Sequence, residues 1–326
     1  MKHASLNGEY FADARSELGG NVRLIVQPDD GMAPILTAVK QARKSIDVMI
    51  FRFDRPQLEH ALAAAVARGV AVRALIAHTS SDGARPLRAL ELRLLAAGLT
   101  VARTDDDLVR YHGKFMIVDR SRLFVLGFNF TAVDTGRSRS FGVEVRTKAI
   151  VRGAMALFEA DAGRQPVSSI HRDLVVSPEN SRERLESFIR GARRQLLIYD
   201  PKLSDPRMIN LIHDRMRAGV LVRVLGRVAK AGSEIPMKRL SGARLHVRAI
   251  VRDGRAAFLG SQSLKRLELD KRRELGIVVH NTKVVRQMTE VFESDWTEAV
   301  AVKKAAKAVK KVQKRLGEAV PQAAQV

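Results

Sequence analysis

The stretch YHGKFMIVDRSRLFVLGFN, Tyr111 to Asn129, sets a histidine, a lysine and an aspartate around an apolar run. Side chains in a strand alternate faces with a period of two, so His112 and Lys114 share one face. Phe115, Ile117 and Val118 read as core. Asp119 follows the run, and Gly127 and Asn129 close the stretch. Alone, this pattern describes a strand end with solvated polar residues equally well, because short motifs recur by chance. The rest of the chain decides between the two readings.

The chain repeats the pattern. LHVRAIVRDGRAAFLGSQS, Leu245 to Ser263, aligns with it, so that His246 matches His112, Arg248 matches Lys114 and Asp253 matches Asp119. Ser261 falls at Gly127 and Ser263 at Asn129. Further on, Arg273–Ile277 faces Arg139–Val143, which sets Glu274 opposite Ser140. Upstream, the segments from Ala42 and from Ala192 also match. Each gives a buried-strand run and a proline suited to a first helical turn, Pro56 or Pro206. Each then gives an amphipathic helix closed by a glycine, Gly69 or Gly219, before a valine-rich strand. The offset between copies is 150 residues early and 134 late. The first copy therefore holds a longer loop over about 79–110, with the helical pattern RPLRALELRLLAAG inside it.

These paired motifs resemble the phospholipase D superfamily, whose signature is H-x-K-x4-D-x6-G-[GS]-x-N, present twice in a single chain or once per chain in a dimer. The resemblance covers about residues 20 to 296. The first copy departs from it at Leu126, and the second at Arg248 and Ser263. The acid that the family often carries beyond its G-S-x-N element is present as Glu274 and missing at Ser140. The expected fold is α/β, with two similar phospholipase D-like domains over 21–165 and 166–296. Each is a mixed sheet flanked by helices, and the two are related by pseudo-two-fold symmetry. An N-terminal extension (1–20) and a basic amphipathic tail (297–326) complete the chain.

Composition narrows the chemistry. The 326 residues are 46% hydrophobic, enough for packed cores, and contain no cysteine, which removes thiolate metal sites, disulfides and cysteine nucleophiles. The first twenty residues carry no apolar run of the secretory kind, and no apolar run is long enough to span a bilayer. The protein is expected in the cytoplasm. Its formal net charge is +22, a field that draws polyanions. The tail adds a lysine-rich stripe, from Lys303 to Arg315, suited to the phosphates of nucleic acid or to the anionic headgroups of an inner membrane surface.

A histidine pair suits phosphodiester chemistry, since imidazole with its pKa near 6.5 serves as nucleophile or as acid. The resemblance implies a metal-independent site with no cofactor, working through a covalent phosphohistidine. His112 is expected as nucleophile and His246 as general acid, the latter supported by Glu274. Lys114 and Arg248 would hold the non-bridging oxygens, helped by Asn129, Ser263, Gly127 and Ser261. Asp119 and Asp253 would orient the imidazoles and cations. Both motifs lie in one chain, so a monomer is expected to suffice. The leading substrate is a phospholipid phosphodiester, hydrolysed or used for phosphatidyl transfer as in cardiolipin synthase-like proteins. A nuclease of the same superfamily and a catalytically weak polyanion-binding protein are the alternatives.

Overall fold

The computed structural model describes residues 21–79 and 85–301. The N-terminal extension lies outside the described residues, and so does the basic tail from residue 302 onward.

The first sheet is built from β1 (Val22–Gln27), β2 (Ser45–Ile50), β3 (Ala71–Ile76), β4 (Thr100–Arg103), β6 (Phe115–Val118), β7 (Arg122–Leu126) and β8 (Ser138–Val145). Its order is β1-β8-β7-β6-β2-β3-β4. The second sheet uses β9 (Leu174–Ser177), β10 (Gln195–Leu203), β11 (Leu221–Val228), β12 (Met237–Arg239), β14 (Ala249–Arg252), β15 (Ala256–Gly260) and β16 (Arg272–Val279). Element by element it runs in the same order, with β9 on β16 and β17 (Val300–Ala301) added at the β12 edge. The repeat in the sequence is thus a repeat of topology.

Local chemistry explains the shared elements. β2 and β10 read as nearly continuous apolar runs because each lies in mid-sheet, beside a parallel strand. Pro56 and Pro206 open α2 (Pro56–Ala67) and α7 (Pro206–Arg217), where a missing N–H costs nothing. The Asp205 side chain caps α7 by accepting from the Met208 N–H at 3.1 Å. Gly69 and Gly219 follow these helices at φ of +84° and +82°, the left-handed turn that glycine supplies without strain.

The two sheets share one core. Met49, Phe115 and Val143 of the first pack with Leu197, Leu259 and Ile277 of the second, and α5 (Lys148–Gly163) and α9 (Thr282–Glu298) close its flanks. The outer face of the first sheet is covered by α1 (Ala33–Gln41), α2 and α3 (Arg85–Ala96). That of the second is covered by α6 (Ser181–Arg190) and α7. α3 is the helix of the longer first-copy loop.

Two short strands cross between the halves. β5 (Arg110–Tyr111) pairs with β16 of the second sheet, and β13 (Arg244–Leu245) pairs with β8 of the first. Each leads directly into a motif histidine. The stretch from Tyr111 is therefore not one strand: it leaves the second sheet at His112 and enters the first at Phe115. The exchange is reciprocal, which gives the pair of halves its two-fold character.

Candidate active site

The crossing strands fix both histidines from the opposite half. The His112 N–H donates to Arg273 O at 2.7 Å, and the His246 N–H to Arg139 O at 3.1 Å. Both rings are buried, at 7% and 6% exposure, and Lys114 is 1% exposed. The Lys114 Nζ donates to His112 O at 2.6 Å and lies 3.1 Å from each ring nitrogen. Arg248 makes the matching contact in the second copy, donating to His246 O at 2.9 Å. The Lys-to-Arg exchange keeps both charge and anchor.

Glu274 is placed differently from expectation. Its Oε2 lies 2.8 Å from His112 Nδ1, so the acid of the second copy serves the histidine of the first. The reason is the β5–β16 pairing, which aligns Arg272 and Arg273 with Arg110 and Tyr111 and sets Glu274 beside His112. His246 instead faces Asp134, whose Oδ2 is 3.6 Å from its Nδ1. Asp134 sits on α4 (Ala132–Gly136) and accepts from the Asn129 side-chain and main-chain N–H groups at 2.6 and 2.9 Å. It also accepts from Arg244 at 2.6 Å. Sequence reasoning passed over Asp134. The available signal was Glu268, its repeat counterpart five residues after Ser263, as Asp134 is five after Asn129. Glu268 accepts from the Ser263 N–H at 2.8 Å and lies 3.7 Å from Arg248.

Asp119 and Asp253 correct the expectation more strongly. Asp119 Oδ1 accepts from the Arg43, Lys44 and Ser45 N–H groups at 3.1, 2.6 and 3.1 Å. Asp253 Oδ1 accepts from Arg193, Arg194 and Gln195 at 3.2, 2.7 and 2.9 Å. They lie beyond the far ends of β6 and of β14, roughly 16 Å along the strand from the motif cation at about 3.3 Å per residue. They tie down the turns that start β2 and β10 and do not orient imidazoles or cations.

The small residues also turn inward. A Cβ on Gly127 would stand 2.8 Å from Phe141 O and 3.2 Å from Gly260 O, so glycine there lets the halves approach. The Ser261 hydroxyl is fully buried, accepts from the Leu275 N–H at 3.1 Å and donates to Leu275 O at 3.3 Å. Gly127 and Ser261 are thus part of the junction rather than a lining for substrate. Ser263 Oγ accepts from the Arg248 guanidinium at 3.2 Å, and Asn129 is engaged with Asp134, so both act on the site through those partners.

Electrostatics follow from burial. Desolvation, with Lys114 and Arg248 nearby, holds the His112 imidazole well below its ordinary pKa. Desolvation, then Arg248, does the same to His246, with Asp134 opposing. Burial pushes the Lys114 ammonium down to about 7 and raises the Glu274 carboxyl. The Lys114 and Arg248 charges act on both rings, which places the two motifs in one electrostatic site. A neutral imidazole held through Nδ1 and beside cations suits nucleophilic attack on a phosphodiester. A cavity of about 510 Å³ opens next to Asp134 and Arg244, walled by Phe51, Phe53, Pro86, Leu87 and Leu90.

The family model described as "Cardiolipin synthase, PLD-like domain" matches residues 35–162 and 185–296, most of the chain and both copies of the repeat. This chain belongs to the phospholipase D superfamily. A similar curated relative is the mitochondrial cardiolipin hydrolase of Canis lupus familiaris, 30% identical over 131 residues, which are 40% of this chain and 50% of that protein. The chain thus spans about half the length of that relative. Among solved structures, the polyphosphate kinase of Porphyromonas gingivalis superposes with a TM-score of 0.71 at 17% identity, over 90% of this chain and 53% of that one. The phosphatidylserine synthase of Haemophilus influenzae Rd KW20 does so with a TM-score of 0.65 at 11% identity, over 91% and 93%. These two likenesses concern the fold. Among the described residues no helix is long and apolar enough to cross a membrane.

Proposed function

We propose that this superfamily member cleaves or transfers a phospholipid phosphodiester through a covalent phosphohistidine. The observation that carries the reading is reciprocal: each buried histidine faces a carboxylate of the other half, and the charges of Lys114 and Arg248 act on both rings. His112 Nε2 attacks phosphorus while Glu274 holds the proton on Nδ1. His246 is neutral in the empty site, and the negative charge of the bound phosphodiester, added to that of Asp134, lets it take up a proton on substrate binding. The P–O bond to the leaving alcohol breaks, and protonated His246 gives that oxygen its proton. Neutral His246 then takes a proton from water, or from an acceptor alcohol, whose oxygen displaces His112 and restores the starting state. Lys114 and Arg248 neutralise the non-bridging oxygens throughout.

The match to the cardiolipin synthase-like model and to a cardiolipin hydrolase supports a lipid substrate. So does the apolar wall that Pro86, Leu87 and Leu90 of α3 give the cavity beside Asp134, a surface fitted to the hydrocarbon side of a lipid. A net charge of +22 favours nucleic acid as the second reading. We infer a monomeric enzyme that meets anionic surfaces through its basic residues. Phosphatidylglycerol and diphosphatidylglycerol vesicles, plasmid and single-stranded DNA, assayed side by side, test the reading. Turnover of DNA alone overturns the lipid assignment, and no turnover of any of them overturns the enzyme.

A further inference from the structure

Beyond the reacting groups, a second cavity of about 380 Å³ is lined by Arg227, Arg239, Arg244, Pro201, Gly226, Leu240 and Leu245, three guanidiniums and no acid. It abuts Leu245, the residue before His246. Gly226 lets the chain approach β10 closely at the cavity's edge: its φ is +147°, and a Cβ there would stand 1.8 Å from Asp200 O and 3.2 Å from a Leu245 methyl carbon. β10 bulges between Asp200 and Leu203 at the same place. The first half has Ile76 and Ala77 where the second has Gly226 and Arg227, so this cavity is an elaboration of one half only. Arg244 is already paired with Asp134. No ion pair or hydrogen bond of the Arg227 or Arg239 side chain occurs among the described residues, and both side chains are exposed.

We propose that Arg227, Arg239 and Arg244 form a second anion subsite, which takes a second phosphate carried by the same substrate as the scissile one. Guanidiniums match phosphate oxygens bidentately, and Arg227 and Arg239, beside the Arg244–Asp134 pair and with no acid in the lining, leave two positive charges for a dianionic molecule. The described lining offers no aromatic ring for a base to stack on, whereas Pro201, Leu240 and Leu245 suit an aliphatic linker. A lipid headgroup with two phosphates therefore fits better than a polynucleotide. The inference rests on the phosphodiesterase reading for its substrate, though not for its binding.

The test compares wild type with the double variant Arg227→Ala/Arg239→Ala. Arg207→Ala/Arg217→Ala on α7 removes the same charge elsewhere and serves as control. Calorimetry with inorganic pyrophosphate should show at least a tenfold weaker Kd for the first variant and less than a twofold change for the control. This readout needs no turnover, so it stands even if the phosphodiesterase reading fails. The ratio of kcat/KM on diphosphatidylglycerol to that on phosphatidylglycerol vesicles should fall at least tenfold in the first variant. A fall confined to a dinucleotide with and without a 3′-phosphate would overturn the lipid assignment. Equal effects in the two variants, or none, would overturn the subsite.

Discussion

Glu274 of the second half holds His112 of the first, with 2.8 Å between Oε2 and Nδ1. His246 has no such partner: its Nδ1 lacks a hydrogen bond among the described residues, and Asp134 stands 3.6 Å away. The site is two-fold in topology and unequal in chemistry. The better-held ring is the one expected to attack.

That inequality can be read in a burst experiment. With a nitrophenyl ester, whose leaving group needs little protonation, His246→Ala should still release nitrophenolate in a burst and carry a phosphohistidine by mass spectrometry. His112→Ala should do neither. On a natural ester, each variant should lose about 10²–10⁴-fold in kcat. Reversed bursts would exchange the two roles.

Glu274→Gln keeps shape and removes charge. It should cut kcat on the nitrophenyl ester about 10²-fold while leaving the melting temperature within a few degrees, because the amide oxygen can still accept from Nδ1 but no longer offers a negative charge to the imidazolium formed as Nε2 attacks. Unchanged phosphohistidine formation under rapid quench would remove Glu274 from the mechanism.

Lys114 sets a pH dependence. Burial places its pKa at about 7, so it carries charge below that and loses it above. A phosphodiester needs the charged form, and kcat/KM should therefore fall as pH rises through about 7. Lys114→Arg should flatten that limb whatever its absolute rate, since guanidinium does not titrate there. A limb that survives the exchange belongs to another group.

Asp119 should matter to stability and not to turnover. Burial works against its charge, but the Lys44, Ser45 and Arg43 N–H groups outweigh this and hold its carboxyl below the usual value. A carboxyl depressed on folding contributes stability that is complete at neutral pH and is lost as pH falls through the folded value. Asp119→Ala should cost about 2 kcal/mol in urea unfolding at pH 7. Its kcat should stay within about twofold, and the cost should shrink in acid. A hundredfold loss of kcat would return Asp119 to the active site.

Fixed cations occupy the places where charge develops, so activity should persist in excess EDTA. Complete loss in chelator, restored by Mg²⁺ or Zn²⁺, would overturn the mechanism.

The doubled architecture, the strands and helices of each copy, and the candidacy of His112, Lys114, His246 and Arg248 were legible in the chain's own pattern. Those follow from short-range rules: apolar period, proline and glycine at helix ends, and motif spacing repeated in register. Which acid meets which histidine was set by contacts between the two halves. Glu274 reaches His112, 162 residues away in sequence, and Asp134 faces His246 because β5 and β13 exchange between sheets. Asp119 and Asp253 looked like members of the site because they are near the histidines along the chain. An extended strand carries a side chain about 3.3 Å farther per residue, so nearness in sequence became distance in space. Main-chain N–H groups at the far end of each strand, invisible in a string of side chains, took those two carboxylates instead.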